Sequence, residues 1–234
     1  MWWAPRQWVT GHRTIQDFMN LLPVKTCLII TFSILTWAAS AQYKIFTAGS
    51  VFNYAIEYNK GNISVRDTVI MEITGKGWKA APETSREMVI HYSFAHIDTS
   101  IFRGIPDIGW VHTDSTGAVE NEKSCWIHPP RHNQYRILEL APFPRIDYPL
   151  EEGRRYKKIL FISDGWGDLS NTKVYWNYII HSCVEGVWRI SATAEPTATP
   201  GAINSLDFTF SVNQGFLTMD YRFQDGTRIM MKQI

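Results

Sequence analysis

Apolar and polar residues alternate along most of the chain after residue 50, and this period of two is the mark of half-buried β-strands. Phe52, Tyr54, Ile56 and Tyr58 alternate with Asn53, Ala55 and Glu57. After the turn residues 59–62, Ile63, Val65, Val69, Met71 and Ile73 share one face of a longer run, with Ser64, Arg66, Thr68 and Glu72 on the other. The two runs predict a hairpin. Met88, Ile90, Tyr92 and Phe94 predict a third strand. Residues 109–113 and 118–127 predict a further hairpin around Asp114-Ser115-Thr116-Gly117, and 135–140 and 158–163 two short strands. Residues 174–183 and 187–194 predict a pair separated by Glu185-Gly186. The last thirty or so residues form a three-strand meander, turning at Asn213-Gln214-Gly215 and Gln224-Asp225-Gly226.

About ten strands and no amphipathic helix give an all-β fold of antiparallel pairs. Such a meander covers its apolar face either as an up-and-down barrel or as a two-layer sandwich, and the reading leans to the barrel.

The front of the chain has a different pattern. Residues 27–41 are apolar, follow Lys25, and end in Ala39-Ser40-Ala41, the small-x-small signature of signal-peptide cleavage. The expected organisation is therefore an upstream extension plus signal peptide over 1–41, with translation starting at Met19, and a single β domain over 42–234. The protein is then exported, to the periplasm or beyond. The alternative is an anchor made of uncleaved residues 27–41, with Trp2, Trp3 and Trp8 at the membrane interface. In either case the membrane is met only through this N-terminal segment.

The whole chain carries 23 Lys+Arg against 22 Asp+Glu. Removing three of those cations and one acid with residues 1–41 leaves a mature net charge of −1. That balance excludes a nucleic-acid binder relying on a basic face. Two cysteines remain, Cys125 and Cys183. In an oxidising compartment they are a candidate disulfide; otherwise they are two small buried hydrophobes.

The richest chemistry lies in 124–148. The rigid Pro129-Pro130 corner is flanked by His128 and Arg131, with Trp126, Tyr135 and Arg136 close in sequence. Arg131 and Arg136 suit a bidentate grip on a ligand acid, with His128 beside them and Trp126 or Tyr135 as an apolar wall. The structural alternative pairs Arg131 with Glu139 or Asp147. His128 and His132 are not helical metal ligands, because the prolines between them forbid the helix that would align them. Oxygen ligands in Asp164–Asn171 make calcium conceivable, but the EF-hand spacing is absent. Asn62-Ile63-Ser64 is a glycosylation sequon only in a eukaryotic secretory pathway. There is no nucleophile elbow, phosphate loop or dinucleotide fingerprint, and no catalytic residue, metal or cofactor is assigned.

Trp126-Ile127-His128-Pro129-Pro130-Arg131, Ile137-Leu138-Glu139-Leu140 and Pro142-Phe143-Pro144 resemble exported β-rich proteins of unknown function from Bacteroidota-type bacteria. Gly215-Phe216-Leu217-Thr218-Met219-Asp220-Tyr221 and Asp225-Gly226-Thr227 look like their closing hairpin. The resemblance covers about the second half of the mature chain. It implies an envelope location in a Gram-negative cell and carries no activity.

Three functions follow as expectations. The first is a non-enzymatic binding module for an apolar or amphipathic ligand, entered near His128 and Arg131. The second is a hydrolase using His128 with Glu139 or Asp147, and Arg131 as electrostatic stabiliser. The third is an interaction protein that pairs through a strand edge.

Overall fold

Twelve strands form one antiparallel sheet that curls into a nearly closed barrel in the computed structural model. Described are residues 45–79, 82–94, 96–102, 110–163, 170–197 and 204–234, all within the compact unit Lys44–Ile234. The expected signal peptide lies outside the described residues, as does Asp164–Asp168 of the calcium loop.

The strands are β1 (Val51–Lys60), β2 (Ile63–Gly77), β3 (Arg86–Tyr92), β4 (Thr113–Glu120), β5 (Ser124–Ile127), β6 (Arg145–Asp147), β7 (Arg155–Ile162), β8 (Thr172–Val184), β9 (Val187–Pro196), β10 (Asn204–Ser211), β11 (Gly215–Arg222) and β12 (Arg228–Gln233). Neighbours in sequence are neighbours in the sheet, except that β1 pairs with β12, so that β6 and β7 are its two edges.

The alternation decides which side of each strand faces in. Phe52, Tyr54, Ile56 and Tyr58 of β1 are buried, as are Val69, Met71 and Ile73 of β2 and Leu206, Phe208 and Phe210 of β10. Outward positions carry charge, and a polar belt crosses seven strands. His181 (β8) meets the Ser191 hydroxyl (β9) at 2.8 Å, and Ser191 donates to Asp207 (β10) at 2.6 Å. Arg222 (β11) pairs with Asp207 at 2.7 Å and also with Asp220, which takes Arg228 (β12) at 2.8 Å. Arg66 (β2) pairs with Glu57 (β1) at 3.0 Å, next in line. Exposed pairs of this kind add little stability each. They tie neighbouring strands together across the outer face.

The β6–β7 gap is bridged by side chains instead of a backbone ladder. Tyr156 donates its hydroxyl to the Arg145 carbonyl at 2.6 Å, and Lys158 reaches Asp147 at 2.6 Å. Arg154 donates to the Asp147 carbonyl at 2.7 Å and to the Pro149 carbonyl. Beneath them Tyr178 donates to the Phe143 carbonyl at 2.9 Å.

Both ends of the barrel are filled. At the end where β4 stops, the Glu120 carboxylate accepts the Ile45 and Phe46 N–H groups at 2.9 and 2.8 Å, and both side chains are buried. The opposite end is covered by the segment that follows β5.

Two expectations are corrected. The strand over 135–140 is a 3-10 helix, Asn133–Leu140. Asn133 enters at φ 57°, in the left-handed region, and its amide bridges both Val111 backbone groups at 2.9 and 3.0 Å. Tyr135 and Leu138 are then buried with the three-residue spacing of a 3-10 turn. The hairpin turn placed at 114–117 lies instead at 121–123, where the Asn121 side chain accepts the Lys123 and Ser124 N–H groups at 2.9 and 3.0 Å. Gly117 stays inside β4 because the Trp78 ring covers it: a Cβ there would sit 3.0 Å from that ring.

Candidate functional site

The candidate site is built by residues 126–144, which leave β5, cross the barrel end and return as β6. The crossing reaches far: Tyr135 donates to Asp67 on β2 at 3.0 Å, and Asn204 at the start of β10 donates to the Leu140 carbonyl at 3.0 Å. Pro129 and Pro130 are buried and present no N–H that would need a partner.

One half of the site is aromatic. The His128 ring lies 4.4 Å from that of Phe143, and Phe143 packs 4.6 Å from Trp176 of β8 and 6.4 Å from Trp126. The His128 N–H donates to the Gly117 carbonyl at 2.9 Å, and Nδ1 donates to the Pro129 carbonyl at 2.9 Å. Burial pushes its pKa down to about 4, so the ring is neutral at physiological pH.

The other half is charged, with Asp114 at its centre. The Asp114 side chain is only 10% exposed and meets His132 Nδ1 at 2.6 Å. Arg131 Nε donates to the same oxygen at 3.4 Å, while its Nη2 donates to the Ser115 carbonyl at 3.2 Å. The guanidinium also lies 5.8 Å over the Trp78 ring. Glu139 faces this group. Burial pushes its carboxyl above the ordinary range, while Arg131, Arg136 and His132 pull it back.

Of the expected ligand-binding residues, Trp126 and His128 join the aromatic half, and Arg131 and Arg136 the charged half. Arg131 is already engaged by Asp114 and a backbone carbonyl, so its structural partner is Asp114, in place of Glu139 or Asp147. Tyr135 is fully buried, held by Asp67 and stacked 6.0 Å from Tyr92, and forms part of the core. The expected hydrolase groups do not form one hydrogen-bonded set. His128 lies on Phe143, Glu139 beside the arginines, and Asp147 in the seam with Arg145 and Lys158 at 2.8 and 2.6 Å. Cys125 and Cys183 are both free thiols. They lie on β5 and β8, which are not neighbouring strands. Among the described residues no three His, Cys, Asp or Glu side chains form a metal-sized group.

Five residues outside the expected set matter as much. Asp114 and His132 form a hydrogen-bonded pair at 2.6 Å. Thr116 and Trp176 are buried, and neither the Thr116 hydroxyl nor the Trp176 indole nitrogen has a hydrogen-bond partner among the described residues. Gln134, on the helix above, is also buried with its amide unpaired. Asp114 and Thr116 were hidden in a run that read as a turn; Trp176 lies on a strand face whose inward orientation the alternation reveals.

Compared with known proteins, the chain matches no family model and no curated protein.

Proposed function

We propose that this protein is a non-enzymatic binding module of the cell envelope, taking an apolar or amphipathic ligand inside the barrel beneath the 128–144 segment. The observation that carries this reading is the set of buried polar atoms with no hydrogen-bond partner among the described residues, those of Thr116, Gln134 and Trp176 together with Tyr92, Thr227 and Gln233. A buried polar group without a partner costs about 1–3 kcal/mol, and a ligand that supplies the partner recovers it. Barrel width supports the same reading. About eight strands enclose a space that side chains just fill or that one small ligand occupies; twelve enclose more. The wall includes four buried methionines, Met71, Met88, Met219 and Met231, whose flexible side chains adapt to irregular apolar shapes. The apolar run over 27–41 and the resemblance to exported proteins support the envelope location.

Native mass spectrometry of the protein recovered from its own envelope without detergent tests both parts. The mature mass is expected to begin at Gln42, with a reproducible excess mass that is lost on unfolding. A clean apo mass under gentle conditions refutes the binding reading.

A second reading, pairing through a strand edge, is favoured by β7. There Ile159 and Phe161 are 62% and 57% exposed beside a strand that has no ladder partner on its outer side. Concentration-dependent self-association that is abolished by Phe161→Lys is its expected signature; a monomer at all concentrations counts against self-pairing.

A further inference from the structure

An apolar patch stands on the outer face of β7 and β8. Ile159 and Phe161 of β7 and Tyr175 of β8 are 62%, 57% and 41% exposed. Ile159 lies directly opposite Tyr175, and Phe161 follows two residues on along the same face, so the three side chains are neighbours. β7 ends at Ile162 and β8 begins at Thr172, which places the patch at one end of this strand pair. We infer that this corner docks the protein on an anionic lipid surface, with Ile159, Phe161 and Tyr175 entering the headgroup layer and Arg155, Lys157 and Lys173 facing lipid phosphates. The contact is separate from the interior of the barrel and from the membrane contact expected of the N-terminal segment.

The order of residues along the strand carries the argument. The outward positions of β7 read Arg155, Lys157, Ile159, Phe161: two cations, then two apolar side chains toward the strand end. At about 3.3 Å per residue, Lys157 stands roughly 7 Å behind Ile159 and roughly 13 Å behind Phe161, a spacing that sets the apolar tip one headgroup layer deeper than the cation. Lys173 lies opposite Phe161, and its long stem lets the ammonium reach back to the headgroups. Tyr175 joins an apolar ring to a polar hydroxyl, the combination enriched at membrane interfaces. Glu195, exposed on β9 opposite Tyr175, opposes an anionic surface, but Arg155, Lys157 and Lys173 outnumber it. Lys158 is left out of this set because it pairs with Asp147. An apolar patch backed by cations is complementary to anionic lipid, and each Lys or Arg near such a surface tightens binding about fivefold.

The same geometry argues against strand pairing as the use of this patch. A strand added to the β7 edge extends the sheet in its own plane, on the side away from β8, and leaves Tyr175 uncovered. Part of that edge is also taken, by Tyr156 on the Arg145 carbonyl and Lys158 on Asp147. A lipid surface covers all three apolar side chains at once.

Sedimentation with lipid vesicles tests the inference. The exported protein is mixed with vesicles of phosphatidylcholine, and with vesicles in which about a third of that lipid is replaced by phosphatidylglycerol. Binding to the anionic vesicles is expected to be at least about tenfold tighter, and to fall as salt rises from about 0.1 to about 1 M. Phe161→Ser is expected to weaken it roughly tenfold, Tyr175→Ser roughly threefold and Lys157→Ala roughly fivefold. Val184→Ser, at the other end of β8 and 54% exposed, is the control and should change nothing. Equal binding to both kinds of vesicle, binding to neither, or binding that Phe161→Ser and Tyr175→Ser leave at the parent level overturns the inference. Absence of vesicle binding together with self-association that Phe161→Lys abolishes and Tyr175→Ser does not assigns the patch to strand pairing instead. The ligand-binding reading is untouched by any of these outcomes, since the native mass decides it separately.

Discussion

The seam between β6 and β7 gives the sharpest test of how this barrel is closed. Two tyrosine hydroxyls do there what a backbone ladder does elsewhere: Tyr156 bonds the Arg145 carbonyl at 2.6 Å and Tyr178 the Phe143 carbonyl at 2.9 Å. Burial holds both phenols well above their ordinary pKa, so each remains a donor at any pH at which the protein is folded. Tyr178→Phe removes a buried donor and leaves a carbonyl unpaired, a loss of about 1–3 kcal/mol. Tyr156 is half-buried, and water can reach its carbonyl partner more easily, so Tyr156→Phe is expected to cost nearer 1 kcal/mol. The two rings stack at 4.7 Å, so their effects are coupled and need not add. The double variant is expected to lose about 2–4 kcal/mol, a large share of the roughly 5–15 kcal/mol that holds a domain together. Urea denaturation measures the loss, and amide hydrogen exchange locates it: β6 and β7 should exchange faster while β10–β12 do not. A double variant within about 0.5 kcal/mol of the parent, with exchange at β6 and β7 unchanged, refutes the idea that these hydroxyls close the barrel.

His128 and the tight glycines give further tests. Because the folded-state pKa of His128 is about 4, below the ordinary 6.5, the unfolded chain binds the extra proton first, and stability is lost as pH falls from about 6.5 to 4. His128→Phe should flatten that part of the pH–stability curve by up to about 3 kcal/mol; parallel curves for parent and variant would show that the ring titrates normally. Asp67 and Glu139, whose carboxyls burial raises, act in the opposite sense, adding stability in acid that is lost as pH rises through their folded pKa values, so the difference between the two proteins is the quantity to read. Gly77→Ala would place a Cβ 2.5 Å from the Pro82 carbonyl oxygen, whereas at Gly75 the nearest atom, the Ala48 Cβ, is 3.4 Å away. Thermal unfolding should show a loss of about 1–3 kcal/mol for the first and little change for the second; equal melting temperatures would refute the contact.

The strands were legible because their period is local. The β10–β12 meander could be read almost to the residue, since glycines at positive φ, Gly215 and Gly226, stand where the turns require them. Closure was not legible, since it depends on Tyr156 meeting Arg145 and on β1 meeting β12. Asp114 at the centre of the charged half was missed for the same reason: it is joined to His132 across 18 positions of chain. One clue was available. Asp67 lies on the apolar face of β2, and a carboxylate there needs a buried donor, which Tyr135 supplies at 3.0 Å. The 133–140 helix was misread because 135–140 is a short, mostly apolar run without strict alternation, which fits a buried strand as well as a 3-10 turn; the burial of Tyr135 and Leu138, three apart, and the left-handed entry at Asn133 show the turn.

Width explains why the chemistry sits where it does. A sheet of twelve strands encloses more space than its own inward side chains fill when most of them are aliphatic, so chain from outside the sheet must enter. Ile45 and Phe46 do so at one end, held by two bonds to Glu120, and the 128–144 segment does so at the other, held by Asp67, Asp114 and Asn204. The two fillers differ in kind. The first brings only apolar side chains. The second brings the buried Gln134 amide and the His128 ring, the latter packed on Phe143, so polar groups are carried into an interior that apolar ones would fill at lower free energy. Their desolvation is a cost that the packing of Phe143 on Trp176 and the bonds to Asp67, Asp114 and Asn204 must offset for the segment to stay seated.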